Sequence, residues 1–203
     1  MKHRIIIVAV AAFVVISAAG WLIAQGEAPQ KPVRHTSVHI DGGTVPDSLE
    51  ALWTASTVVV EATVVDARPA NETVLTAGGT EPATFVKTVY TFEIVRVIKA
   101  DGNVGPQGTT IEVQRIGGVV DRGAYIEEQA DSDFPKFKPQ SRYLLFLMGR
   151  DVTPYWPASG ADSAFEVFEQ RVVPLGKGRA SQLLAKFERD KWVTLLFHQK
   201  GGR

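Results

Sequence analysis

The sequence predicts a mainly β protein: a small closed barrel with one short helix before it and one helix after it, set behind a single apolar N-terminal helix. Three observations carry this expectation. The run Thr88–Ala100, TVYTFEIVRVIKA, puts Tyr90, Phe92 and Ile94 on one face and Thr91 and Glu93 on the other, the period-two pattern of a half-buried strand. Further runs rich in β-branched and aromatic residues share that character and are separated by stretches bearing Gly and Pro. Helical stripes occur in two places, around Leu49–Trp53 and from Ala180 onward.

The 203 residues suffice for one domain of ordinary size with an anchor or tail. With 45% apolar and 22% charged residues, a core can form without covalent staples. That matters because there is no cysteine, which excludes disulfides, thiolate zinc sites and cysteine nucleophiles, and fits a bacterial exported protein better than an animal one. The 22 basic residues balance 22 acidic ones. No basic excess is left to neutralise phosphates, so nucleic acid is not an expected partner.

Lys2, His3 and Arg4 precede the uncharged run Ile5–Ala24, IIIVAVAAFVVISAAGWLIA. A positive flank before an apolar run marks a segment for export, and this one is long enough to span a bilayer as a helix. Trp21 sits where an indole is favoured at the headgroups. Residues 1–24 are therefore expected to be a signal-anchor, making a single-pass membrane protein with its C-terminal domain outside the cytoplasm. The alternative is a cleaved signal peptide, with small residues at Ser17-Ala18-Ala19 or Leu22-Ile23-Ala24, and a secreted or periplasmic product.

Residues 25–45 read as a linker of mixed charge with no sustained period. His35 and His39 have the i, i+4 spacing of two zinc ligands on a helix, but the residues between them are poor helix formers and no third ligand is near. A solvated or edge-strand pair is the plainer reading. No metal site and no cofactor is expected.

Residues 46–176 form the expected barrel domain. Asp47 and Glu50 have capping-box spacing for a short helix whose stripe, Leu49, Leu52 and Trp53, is expected to plug one end of the barrel. Thr57–Ala67 is the first strand, and Arg68–Ala83 an irregular connection. In Thr88–Ala100, keeping Phe92, Ile94 and Val97 all inward requires one extra residue, so a β-bulge is expected at Val95-Arg96. Thr109–Arg115 follows, with Ile111 and Val113 inward. Residues 121–139 read as a long acidic loop tacked back by Phe134 and Phe137; its carboxylates lack the fixed alternation of a calcium loop, and a calcium site there stays open beside a merely solvated loop. Arg142–Gly149 is apolar almost throughout, a strand covered on both faces. Tyr155-Trp156 lie in a short strand, and Phe165–Val173 is the last one. Residues 177–203 are a helix and tail, whose outer half carries Trp192, Leu195, Leu196 and Phe197.

The order of a short helix, VVVEATVVDA, YTFEIVRVIKADG, a TIEV strand and then F-x-P-x-x-RYLLFL resembles the netrin/TIMP-like module. The likeness runs from Pro46 to about Ala158. It implies a Greek-key OB-like barrel, as in tissue inhibitors of metalloproteinases and in bacterial exported proteins with the same barrel. Those inhibitors chelate the protease zinc through an N-terminal cysteine, which this chain lacks, so no inhibitory residue carries over.

No nucleophile-elbow motif or P-loop is present, and Gly176-Lys177-Gly178 is too short to cradle a phosphate. His198 is the sole histidine after residue 39. The sequence thus points to a non-enzymatic, extracytoplasmic protein-binding module at the cell envelope. Its candidate partner surface is Trp192, Leu195, Leu196 and Phe197, with Tyr155 and Trp156. The alternatives are an accessory subunit of a membrane complex, a small-ligand or glycan binder using Tyr155 and Trp156, and a protease inhibitor.

Overall fold

A computed structural model describes residues 30–38, 46–75, 82–101, 104–149, 153–169, 171–186, 191 and 194. The chain divides into two units, Met1–Pro32 and Val33–Arg203. The apolar run 5–24 lies outside the described residues, among which no helix is long and apolar enough to cross a membrane. The second unit is mainly β, as expected. Its strands are β1 (Val33–Val38), β2 (Val58–Leu75), β3 (Pro82–Ala100), β4 (Thr110–Ile116), β5 (Gly118–Asp121), β6 (Ile126–Asp131), β7 (Arg142–Met148), β8 (Trp156–Ala161), β9 (Ala164–Val167) and β10 (Val172–Pro174). Two helices accompany them, α1 (Leu49–Ala55) and α2 (Arg179–Leu184).

The larger sheet has the order β10-β9-β7-β2-β3-β4, with β8 also paired to β7; the smaller is β1-β6-β5. The expected closed barrel does not form. Strands β4, β3, β2, β7 and β8 follow one another around the sheet, but β8 and β4 share no ladder. They meet at one parallel bridge, Val113↔Tyr155, where the Tyr155 N–H donates to Glu112 O and the Gln114 N–H to Tyr155 O, both at 2.8 Å. Pro154 and Pro157 bracket this contact. Neither has an N–H, so the stretch lacks the donors a continuous ladder needs.

The bulge expected at Val95-Arg96 is present. Glu61 faces Arg96 while Ala62 faces Ile94, so Val95 is skipped. Phe92 and Ile94 before it and Val97 after it therefore pack on one core, with Val60, Val113, Tyr143 and Leu145. A second slip skips Ile98 and turns it to the opposite face, beside Leu52, Phe146 and Phe165. The sheet is thus apolar on both sides, and β7 shows why its sequence lacks alternation: Tyr143, Leu145 and Leu147 fill the first core, Leu144 and Phe146 the second.

Helix α1 lies on that second core through Leu52, Leu49 and Trp53, so it covers the outer face of the sheet instead of plugging an end. Its N-cap is Ser48, not Asp47: the Ser48 hydroxyl accepts from the Ala51 N–H at 3.1 Å. At the other end Lys99 Nζ donates to the carbonyls of Trp53 (3.0 Å) and Ser56 (2.5 Å), a cation at the negative pole of the helix. Helix α2 buries Ala180 and Leu184; the remainder of the helix expected from Ala180 falls mostly on undescribed residues.

Three expectations give way to regular structure, and a fourth, a single last strand, is divided. Residues 68–75 and 82–83, read as irregular, continue β2 and β3 as a long antiparallel ribbon, from Arg68↔Val89 to Leu75↔Pro82. Residues 33–38, read as linker, form β1, parallel to β6. Within the acidic stretch, Asp121 ends β5 and Ile126–Asp131 form β6, after which Phe134 and Phe137 are buried in the first core. The expected last strand is two short strands, β9 and β10, paired antiparallel about a turn.

Candidate functional site

Trp192, Leu195, Leu196 and Phe197 lie outside the described residues, as do His39 and His198. Tyr155 is 3% exposed and its ring belongs to the first core, so it offers its backbone to β4 and no aromatic face to a ligand. Trp156 is half-buried on β8. These two aromatics do not form an exposed pair. His35 stands on the edge strand β1, its Nδ1 3.1 Å from Glu128 Oε2. No group of three His, Asp or Glu among the described residues is placed to hold a metal ion. Gly176 and Gly178 do cradle an anion, but it is the chain's own Asp162. That carboxylate accepts from the Gly178 N–H (2.5 Å) and the Ser181 hydroxyl (2.9 Å) at the start of α2, and a Cβ at either glycine would collide with it.

The β2–β3 ribbon is an accessible built feature. Strand β7 covers the outer edge of β2 from Val58 to Thr63, and Val64 pairs with Gln140 and Ser141. Beyond that point β2 pairs with β3 alone among the described residues. Val65 is skipped in the register and 48% exposed, and exposure continues through Pro69. On the ribbon's flank Arg68 reaches Glu112 of β4 at 2.9 Å.

The charged side chains buried near the sheet are mostly paired. Glu61 meets Arg142 at 3.3 Å, and Glu166 takes Lys138 Nζ at 2.8 Å. That hydrogen bond and the Glu166 charge hold the Lys138 ammonium above its ordinary pKa. Beside it the Lys138 backbone N–H donates to the Tyr143 hydroxyl at 2.9 Å. Burial, more than any neighbour, pushes the Tyr143 phenol up. On the small sheet, the Lys136 hydrogen bond and charge hold Glu128 below the usual carboxylate range, and His35 adds to this from the other oxygen.

Arg115 is the exception. It is 2% exposed at the seam between the two sheets. Its Nη2 donates to Phe134 O and its guanidinium lies 5.1 Å from the centre of the Phe134 ring, while Nε and Nη1 are buried with no hydrogen-bond partner among the described residues. The signal for it lies in the sequence: one further step of the Ile111, Val113 alternation turns Arg115 inward. No protein-family model and no curated protein matches this chain.

Proposed function

We propose that this chain is a non-catalytic binding module held on the outer side of a membrane by residues 5–24, and that it engages a protein partner along the β2–β3 ribbon. The observation that carries the reading is the ribbon's outer edge, exposed from Val65 to Pro69 and unpaired beyond Val64 among the described residues. Such an edge offers backbone donors and acceptors in fixed register, the template on which an extended segment adds a strand. The netrin/TIMP-like resemblance supports the same reading. Strands β2, β3 and β4 follow in a meander, β7 returns beside β2, and Tyr155 touches β4 in parallel, a circuit compatible with a partly open OB-type barrel. Use of Tyr155 and Trp156 for a glycan has less support, since the Tyr155 ring is enclosed.

The test is site-specific photocrosslinking in native membranes, with a benzophenone amino acid at Val65 or at Ala67. Met148, exposed to a similar degree, is the control. Adducts at the ribbon positions and none at Met148 support the reading; equal labelling, or none at the ribbon, removes it. A second reading, an accessory subunit assembled through its membrane helix, draws on the apolar run Ile5–Ala24 with Trp21 near its end. Exchanging that run for an unrelated spanning segment separates the two. Retained ribbon adducts favour the module, and lost adducts favour the subunit.

A further inference from the structure

Among the described residues this fold treats its buried charges consistently, with one exception. Glu61 has Arg142, Glu166 has Lys138, and Lys99 has two carbonyls at the end of α1. Arg115 follows Ile111 and Val113 onto the face of the first core and is as enclosed as they are. No ion pair joins it to a described carboxylate. On β6, Asp131 accepts at Oδ1 from the N–H groups of Asp133 (3.0 Å) and Phe134 (3.2 Å). A lysine so placed could shed its proton, but a guanidinium cannot. A permanent cation therefore stands in the interior with two nitrogens, Nε and Nη1, that find no hydrogen-bond partner among the described residues.

The surroundings are built closely. Gly117 lies at φ +94°, and a Cβ there would meet Gln129 O at 2.9 Å, Asp131 N at 3.2 Å and Arg115 Nη2 at 3.6 Å. The Phe134 ring stacks against the guanidinium from the turn that follows β6. This leaves a cation with fixed orientation and unused donors, walled by an aromatic ring and backbone.

We infer that Arg115 is the receptor for a small oxyanion, a carboxylate or a phosphate, bound at the seam between the two sheets. A free anion fits better than a side chain projecting from a partner, because the guanidinium is 2% exposed. Its way in is the turn Asp131–Phe134, where Ser132 and Asp133 are exposed and the Phe134 carbonyl is the contact to be shared or displaced. This site is independent of the ribbon and does not rest on the proposed partner.

The experiment uses the full chain in detergent in an anion-poor buffer. It is titrated with inorganic phosphate and, separately, with acetate, with sodium chloride at matched ionic strength as control, and thermal unfolding is followed by near-ultraviolet circular dichroism. One oxyanion is expected to raise Tm saturably beyond the chloride control, by about 5–10 °C at a hundredfold excess over its Kd. In Arg115→Met the same anion binds at least about tenfold more weakly. No saturable rise with either anion, or an equal rise in Arg115→Met, overturns the inference. Should Arg115→Met fail to fold, the Arg115 Nε–H resonance of the unmodified chain decides: a saturable shift on adding phosphate or acetate supports the site, and a resonance that moves only as it does with chloride overturns it.

Discussion

Phe137 tests the claim that a residue from an irregular segment belongs to the core. It is 3% exposed and meets four rings edge-on: Tyr143 at 4.8 Å, Tyr90 at 5.1 Å, Phe92 at 5.2 Å and Phe134 at 5.3 Å between centroids. Those rings come from β3, β7 and the turn after β6, so Phe137 joins parts of the chain that no ladder joins. Phe→Ala in a core costs about 3–5 kcal/mol. Edge-to-face pairs add about 0.5–1.5 kcal/mol each beyond area burial, which puts Phe137→Ala at the upper end. That is a large share of a typical stability of about 5–15 kcal/mol. Phe137→Leu keeps most of the apolar volume and loses the ring edges, for about 1–3 kcal/mol. Urea unfolding of the full chain, read by near-ultraviolet circular dichroism, measures both. If Phe137 merely tacks down a loop, the alanine variant loses less than about 1 kcal/mol globally and instead becomes sensitive to protease within residues 132–141. That result would refute the placement.

Three further outcomes are expected. Ser48→Ala removes the acceptor for the Ala51 N–H and should lower stability by about 1 kcal/mol in the same urea assay, whereas Asp47→Ala should change it by less than about half that. Gly117→Ala puts a Cβ against Gln129 O at positive φ and should cost about 1–3 kcal/mol, seen as a fall in Tm. The raised Tyr143 and Lys138 values mean that the folded chain holds protons that the unfolded chain has released above about pH 10. The unfolded state then binds fewer protons, so stability falls as pH rises through that range; Tm measured from pH 8 to 11 should drop, and less steeply in Tyr143→Phe.

What could be read from the sequence follows burial. The bulge at Val95 was legible because Phe92, Ile94 and Val97 are apolar on both sides of a slipped alternation, and a core on one face enforces that pattern. The double coverage of β7 was legible for the same reason, since Tyr143 to Leu147 serve two cores. The ribbon beyond Ala67 was not, because Arg68 and Pro69 are solvated and no face selects a period there. Strand β1 escaped for a like cause: Val33 to Ser37 are exposed throughout, and what makes them a strand is the backbone of β6. The barrel was expected to close because the run of strands suggested it. The prolines at 154 and 157, visible in the sequence, are what thin the seam to one bridge. Of the candidate surface, Tyr155 went to the core because its neighbour across the seam is Val113. Arg115 was within reach of the same alternation that turned Val113 inward, but a charge at the end of an apolar series reads as the point where burial stops.

Strand β1 has a consequence for the order in which the chain becomes itself. Val33 pairs with Ile126, so β1 leaves the ribosome well before its partner, which lies about ninety residues behind it. Closing so long an interval early would be entropically unfavourable. Once the β2–β3–β4 meander has formed, it shortens the gap the chain must bridge. Until then VRHTSV must remain unpaired and unattractive to other chains. Its Arg34 and His35 and its lack of any apolar run suit a segment that has to wait in solution.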